Sequence, residues 1–310
     1  MTNEIAGAID IGSNSILLTI ARRGQSLSGV PLEILVDEAH VTGLSKGLEQ
    51  SGKISEERLK HSLEILQKYR KYLDQFKVAK FEVVATEAFR KASNGADAKL
   101  AVEKILQSPL EIISGEREAE LSFWSVQKEH RDSAANKIVF DIGGASTEVV
   151  LGSNAGIQKK ISLKVGSVVL TEKFELQKKS SSDDVLNFLR TFIHENISWH
   201  DQAGSTLGIG VAGTMTTLIA IQNKMPVYDR NKVHGQKISI QDAQRILDLV
   251  LSKEGKDRSQ SITGLSADRA DVFGGGLSIL VALSAAFRWS EVLCMDSGVR
   301  FGLLYEMLRC

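Results

Sequence analysis

The chain lacks most of the features that mark secreted and membrane proteins. Only two of its 310 residues are cysteine, Cys294 and Cys310, which excludes a disulfide framework and favours a reducing compartment. The longest apolar run, residues 277–287, is too short to span a bilayer. The N-terminus has no basic region followed by a long apolar run, so no signal peptide is predicted. We therefore expect a cytoplasmic protein without membrane association.

An excess of charge of either sign is also missing. Lys and Arg together number 38, as do Asp and Glu, so the formal net charge is zero. This balance argues against a general nucleic-acid or membrane-surface binder, and a polyanionic substrate would need positive charge concentrated locally. The chain is long enough for two domains, and its 43% apolar content is ordinary for a globular protein with a core.

Residues 137–151, KIVFDIGGASTEVVL, predict a β-hairpin with a glycine-rich turn. The residues of interest are Asp141, Gly143, Gly144, Ser146 and Glu148. Glycines let backbone N–H groups approach a ligand closely, and a concave turn of such groups binds anions. The two carboxylates are candidates to hold a metal ion over that anion. The alternative is an ordinary hairpin with glycine where φ must be positive.

A second copy of this pattern begins the chain. Residues 8–18, AIDIGSNSILL, have the same order of strand, aspartate, glycine turn, serine and strand. The matched pairs are Asp10 with Asp141, Gly12 with Gly143, and Ser15 with Ser146. Internal repeats predict repeated structural units. We therefore expect two related α/β domains that face each other across a cleft, with a phosphate group between their turns.

Several polar residues follow predicted strands and are candidates for chemistry. Arg90 lies just beyond the strand at residues 81–85, where its guanidinium is suited to bind phosphate; the alternative is a surface arginine at a helix start. Glu116, Glu118 and Glu120 begin a helix, either as partners of its dipole or with one of them accepting a proton from water. Local spacing does not choose among the three glutamates.

The later part of the chain holds two more glycine features. Gly213 and Thr214 follow a predicted strand at a helix start, which suits an anion site or simply a capped helix. Gly274, Gly275 and Gly276 interrupt a helix predicted over residues 267–287. Glycine inside a helix is destabilising, so close packing or a ligand is needed to explain three of them.

Eight motifs, taken in order, resemble those of the exopolyphosphatase / guanosine pentaphosphate phosphohydrolase family, of the actin–sugar kinase–Hsp70 superfamily. They are AIDIGSNS, VATEAFR, IISGEREAE, VFDIGGASTE, GTMTTL, VHG, GLSADRAD and MDSGVRFG, and they extend over nearly the whole chain. The resemblance implies an α/β fold of two ribonuclease-H-like (actin-like ATPase) domains with an interdomain cleft. We place these at residues 1–127 and 128–310, with a final helix at about 299–309 that packs back on the first domain.

The resemblance also implies residue roles. Glu118 corresponds to the family's catalytic base, and Arg90 to its phosphate-binding arginine. Gly12, Ser13 and Asn14 fall in the first phosphate loop, and Gly143, Gly144 and Ser146 in the second. The acidic residues Asp10, Asp141 and Glu148 are the expected partners of Mg²⁺. Implied substrates are polyphosphate or guanosine pentaphosphate, cleaved at a terminal phosphoanhydride, and the implied assembly is a homodimer.

Two alanines depart from the family pattern. Ala145 replaces the third glycine of the second phosphate loop, and Ala212 stands where glycine is usual in the later turn. If either position requires a positive φ, alanine costs on the order of 1 kcal/mol there. Three rival interpretations remain: an ATP-dependent kinase of the same superfamily, a catalytically weak polyphosphate or alarmone sensor, supported only by Ala145, and a filament-forming actin-like protein.

Overall fold

The computed structural model describes residues 4–24, 32–130, 136–199 and 206–309. The chain divides into two compact units: unit 1 is Met1–Arg131 with Ser297–Cys310, and unit 2 is Asp132–Asp296. The boundary expected at residues 127 and 128 falls inside a helix that continues to Glu129, so unit 1 extends beyond it. The C-terminal helix belongs to unit 1.

Unit 1 contains a five-stranded sheet in the order β3-β2-β1-β4-β5. Its strands are β1 (Ile5–Ile11), β2 (Ser15–Arg23), β3 (Leu32–Val41), β4 (Lys80–Ala85) and β5 (Glu111–Ile112). Its helices are α1 (Leu48–Ser51), α2 (Glu56–Gln75), α3 (Glu87–Lys91), α4 (Gly95–Leu106), α5 (Gly115–Glu129) and α13 (Val299–Leu308). The first three strands form an antiparallel meander, whereas β1, β4 and β5 are parallel.

Helices cover both faces of this sheet. Alternate residues of β1 point to opposite faces, so Ile9 and Ile11 pack in one core with α2 and α4, while Ala6 and Ala8 pack in another with α5 and α13. Ser55 caps helix α2, because its side chain accepts a hydrogen bond from the N–H of Arg58 at 3.3 Å. The parallel strands are therefore held between two helical layers.

Unit 2 contains a six-stranded sheet in the order β10-β11-β9-β6-β7-β8. Its strands are β6 (Lys137–Ile142), β7 (Thr147–Ser153), β8 (Gly156–Leu163), β9 (Leu207–Val211), β10 (Gln236–Ser239) and β11 (Glu291–Cys294). Its helices are α6 (Ser167–Phe174), α7 (Asp183–Asn196), α8 (Ala212–Gln222), α9 (Arg230–Val233), α10 (Ile240–Leu251), α11 (Gly255–Ser261) and α12 (Phe273–Phe287). Strands β6, β9 and β11 are parallel.

The two sheets repeat one plan in detail. Each begins with a three-stranded meander whose first turn has four residues, because Ile11 pairs with Ile16 and Ile142 pairs with Thr147. In each meander the register of the second and third strands shifts once, between Ile20 and Ala21 and between Leu151 and Gly152. Both shifts lie ten residues after the matched aspartate. A β-bulge is a local feature of the backbone, so its repetition supports the repeat predicted from sequence.

Close packing accounts for the three glycines of α12. Each faces a different helix: a Cβ on Gly274 would lie 2.8 Å from Leu251 of α10, one on Gly275 2.8 Å from Thr171 of α6, and one on Gly276 2.5 Å from Thr214 of α8. Real Cβ atoms do not approach other atoms so closely. A side chain at Gly275 would push against the backbone of α6, where its Cβ would overlap the carbonyl of Ser167, and one at Gly274 or Gly276 would displace the facing side chain. The loss of helix propensity is thus offset by three tight helix contacts.

Two observations bear on the environment of the protein. Cys294 is a buried free thiol in β11, and burial raises its pKa; Cys310 lies outside the described residues. Across the ranges that the structure describes, no helix has both the length and the apolar character needed to cross a membrane.

Candidate active site

The candidate residues of unit 1 lie at the carboxyl edge of its sheet. Strands β1, β4 and β5 are parallel neighbours, so their carboxyl ends meet at one edge, where open α/β sheets bind ligands. The turn at residues 12–15 follows β1, Arg90 follows β4, and Glu118 follows β5. Backbone bonds join the three strand ends: Thr86 donates to Ile11 at 3.3 Å, and Ile113 donates to Ala85 at 3.0 Å.

Arg90 is held in place at this edge. Its Nε donates to Oε2 of Glu87 at 2.9 Å, and its Nη1 donates to the carbonyl of Ile113. Its Nη2 lies 3.7 Å from Oε2 of Glu118. The side chain is only 21% exposed, which excludes the alternative of a freely solvated surface arginine. Arg90 is therefore fixed at this edge, with a carboxylate on each side of its guanidinium.

The structure distinguishes Glu118 from its two neighbours. Glu118 is 8% exposed, whereas Glu116 is exposed and Glu120 is half-buried. Glu120 lies 3.9 Å from Nη1 of Arg117, and Arg117 pairs with Glu306 of α13 at 2.5 Å, a bond that raises the pKa of Arg117. Helical geometry therefore turns only the middle glutamate toward Arg90, a choice that local spacing could not make.

The first glycine turn is fixed by bonds to its carbonyl groups. Gly12 donates to the carbonyl of Ser15 at 2.9 Å. The Asn14 carbonyl accepts from the N–H groups of Thr42 and Gly43, and that of Ser13 accepts from Ser45. C=O and N–H point in opposite directions across a trans peptide. The N–H groups of Asn14 and Ser15 therefore point away from residues 42–45. The Ser13 hydroxyl accepts from Ala88 at 3.2 Å and keeps its own proton to donate.

The second turn repeats this arrangement with a helix as the partner. Gly143 donates to Ser146 at 3.0 Å, and the carbonyls of Gly143 and Gly144 accept from Ser167 and Val168, the first residues of α6, at 2.9 and 2.8 Å. The N–H groups of Gly144 and of the next residue therefore point away from α6. These are the donors that a phosphate oxygen would meet.

The glycines of the first two turns are not needed for a positive φ. Gly12, Gly143 and Gly144 all lie outside the left-handed region, as does Ala145, so the alternative of an ordinary hairpin with glycine at positive φ is wrong. A Cβ on Gly143 would instead lie 3.1 Å from the carbonyl of Ser146. Ala145 therefore does not carry the left-handed strain that replacement of a glycine could impose.

Ala212 is the departure that does carry strain. Its φ is 65°, in the left-handed region that favours glycine. Ala212 follows β9 directly as the first residue of α8, and Gly213 is the second residue of that helix. We call residues 211–214, where β9 meets α8, the third turn. Its backbone is the one that a glycine would adopt, at an energetic cost that a glycine would avoid.

Arg269 lies against this turn from a distant part of the chain, and the sequence did not single it out. Its guanidinium lies directly on Gly213, where a Cβ would overlap Nη1. The adjoining chain is fixed by Arg258, which is fully buried and donates to the carbonyls of Ala270, at 3.0 Å, and Leu176. Burial lowers the pKa of Arg258. The GLSADRAD motif, which contains Arg269, was the one feature of the sequence that could have indicated a role for this residue.

The second hairpin holds two facing carboxylates, whereas the first holds one. Asp141 and Glu148 are directly opposite each other on β6 and β7, and both are buried. Oε1 of Glu148 accepts from Ser162 at 2.7 Å. At the matching place in unit 1, Asp10 is opposite Leu17. Among the described residues no cluster of three or more His, Cys, Asp or Glu is arranged to hold a metal. Mg²⁺, however, commonly binds one or two carboxylates and completes its coordination shell with water and phosphate.

The predicted residues thus fall into two groups, one in each unit. Asp10, Gly12, Ser13, Asn14, Arg90 and Glu118 lie in unit 1, and Asp141, Gly143, Gly144, Ser146, Glu148, Gly213 and Thr214 lie in unit 2. Two α/β units that repeat one meander, each with an anion-binding type of turn after its first strand, define the actin-like ATPase fold.

Comparison with known proteins identifies the family. The model of the Ppx/GppA phosphatase family matches residues 19–310, and the chain belongs to that family. A crystal structure of an exopolyphosphatase from Cytophaga hutchinsonii aligns with a TM-score of 0.87 at 26% identity, over 99% of this chain and 98% of that one.

Two curated relatives are longer than this chain. A bifunctional 3-dehydroquinate synthase/phosphatase of Fusobacterium nucleatum is 32% identical over 313 residues, which cover 98% of this chain and 46% of that protein. A guanosine-5'-triphosphate,3'-diphosphate pyrophosphatase of Photobacterium profundum is 28% identical, over 99% of this chain and 60% of that protein. The chain therefore spans about half the length of these relatives.

Proposed function

We propose that this protein hydrolyses the terminal phosphoanhydride of inorganic polyphosphate or guanosine pentaphosphate, with Glu118 as general base. The observation that carries the proposal is the placement of a buried carboxylate 3.7 Å from a fixed guanidinium, at the carboxyl edge of a parallel sheet. Both substrate classes are those of the relatives' names. They share a terminal phosphoryl group that carries charge and needs positive partners.

In the proposed mechanism Glu118 orients a water molecule and takes its proton as the oxygen attacks the terminal phosphorus. The bond from that phosphorus to the bridging oxygen breaks, and the shortened polyphosphate or the guanosine tetraphosphate leaves with that oxygen. A carboxylate beside a fixed arginine is held in one orientation, which general-base catalysis requires. Arg90 would bind oxygens of the attacked phosphoryl group, and the N–H groups of Asn14 and Ser15 would add neutral donors. Phosphoryl transfer depends mainly on such positioning and charge stabilisation.

Unit 2 carries phosphate-binding and metal-binding groups of its own in this proposal. The N–H groups of Gly144 and Ala145 would donate to phosphate oxygens, as would Arg269 beside Gly213. Asp141 and Glu148 would hold Mg²⁺, which supplies positive charge to phosphate oxygens when it is bound. Ala145, the departure on which the sensor interpretation depends, does not adopt a left-handed backbone.

The test is release of inorganic phosphate by the purified protein with Mg²⁺, measured separately with long-chain polyphosphate and with guanosine pentaphosphate. We expect release from at least one substrate without any added acceptor. Glu118→Gln should lower turnover by about 10²- to 10⁴-fold with substrate affinity kept.

Glu116→Gln is the matched control, because Glu116 lies two residues away on the same helix but is exposed. It should leave turnover near that of the wild type. Equal turnover in both variants would remove Glu118 from the mechanism. Phosphate transfer that requires an alcohol acceptor would favour the kinase instead.

A further inference from the structure

An anchored aromatic residue lies near the third turn of unit 2. Tyr228 is 50% exposed and the adjacent Val227 is 78% exposed, although both lie between ordered elements. The Tyr228 hydroxyl donates to Oδ2 of Asp296 at 2.6 Å. Surface tyrosines are usually free to change rotamer, whereas this ring is tethered at its polar end with its apolar surface exposed to solvent.

The anchor itself is well fixed. Asp296 is 7% exposed, and its main-chain carbonyl accepts from Nη2 of Arg230 at 2.7 Å. The Asp229 side chain accepts from the N–H of Asn231 and so caps α9. Tyr228 therefore sits on a segment held at three successive residues, and little conformational freedom is left to lose when a ligand stacks on it.

This segment lies at the carboxyl edge of the unit 2 sheet, beside the turn that holds Gly213. Asp296 follows β11, and β11 pairs in parallel with β9. The N–H of Met295 donates to the carbonyl of Gly210 at 3.0 Å, two residues before Ala212. The exposed ring and the phosphate-binding groups of the third turn thus share one sheet edge.

We propose that Tyr228, with Val227 beside it, forms a stacking platform for the purine base of a nucleotide substrate; this rests on the proposed function. Inorganic polyphosphate has no surface that gains from an apolar ring, whereas a purine base does. We therefore expect the protein to bind and cleave guanosine pentaphosphate in preference to polyphosphate. Stacking of one base on an aromatic side chain is sufficient for a selectivity of about tenfold.

The experiment measures binding and turnover separately. Dissociation constants for guanosine pentaphosphate and for tripolyphosphate are determined by calorimetry in a Glu118→Gln background, and phosphate release is measured in the wild-type background. Tyr228→Ala should lower the preference for the nucleotide about tenfold in both measurements. Tyr228→Phe should keep most of that preference, because it keeps the ring and loses only the bond to Asp296.

Leu249→Ala is the control, since Leu249 is a similarly exposed apolar residue of unit 2 on α10. It should leave the preference unchanged. An unchanged preference in Tyr228→Ala, equal losses in Tyr228→Phe and Tyr228→Ala, or no binding of the nucleotide at all would each overturn the platform. No phosphate release, together with nucleotide binding that weakens in Tyr228→Ala, would overturn the proposed function and leave the platform supported.

Discussion

At the position where unit 1 places Leu17 opposite Asp10, unit 2 places Glu148 opposite Asp141. The backbones match, with turns of equal length and a register shift at the same place in each meander. The side chains differ. In unit 1 Arg90 follows β4 along the chain, whereas in unit 2 Gly213 follows β9 and is covered by the guanidinium of Arg269. The difference shows that the repeat preserves backbone donors while each copy carries its own charged groups.

The largest effect is expected from removal of the Arg90 guanidinium, the charged group that unit 1 carries after β4. Arg90→Met should lower kcat/KM by about 10²- to 10³-fold, the range for loss of a donor to developing charge. Arg90→Lys should recover only part of this, because an ammonium cannot reproduce the guanidinium fork. The measurement is steady-state phosphate release.

Lys91→Met serves as the control for Arg90. Lys91 is the next residue of α3, but its side chain pairs with Glu49. An effect of Lys91→Met as large as that of Arg90→Met would mean that general positive charge, and not the fixed guanidinium, is what matters in unit 1.

A smaller effect is expected from displacing the arginine of unit 2. Gly213→Ala should raise KM by about tenfold with a smaller change in kcat, because the new Cβ would displace the guanidinium of Arg269. Arg269→Met should act in the same way. The double variant should be little worse than either single variant, since neighbouring residues that act together are not additive. Full additivity in KM would show that Gly213 and Arg269 act independently.

The smallest effect distinguishes the two unusual alanines. Ala212→Gly should stabilise the protein by about 0.5 to 1 kcal/mol, because it relieves a left-handed alanine. Ala145→Gly should destabilise it by about 0.4 to 1 kcal/mol, because that backbone is unstrained and glycine adds freedom to the unfolded chain. Urea unfolding monitored by circular dichroism would measure both. Effects of the same sign would contradict the account of these turns.

Much of this architecture could be predicted from local sequence. The paired hairpins and the strand before Arg90 follow from apolar runs, turn glycines and the repeated aspartate. These features depend on residues within a few positions of one another, where physical preferences are strong.

The rest depended on contacts between distant parts of the chain. The choice of Glu118 over Glu116 follows from how α5 packs in unit 1, and Arg269 reaches Gly213 across many intervening residues. The helix predicted from residue 267 begins only at Phe273, because the preceding residues form turns held by Arg258. Local pattern cannot specify such packing. The roles of these residues in catalysis remain predictions.

Hydrolysis by a water molecule activated at Glu118 is best tested by turnover in ¹⁸O-labelled water, followed by mass spectrometry of the products. We predict one ¹⁸O atom in each released phosphate, from polyphosphate or from guanosine pentaphosphate, and loss of that labelled product in Glu118→Gln. Label in the shortened chain, or phosphate transferred to an acceptor without label, would contradict attack by water on the terminal phosphorus.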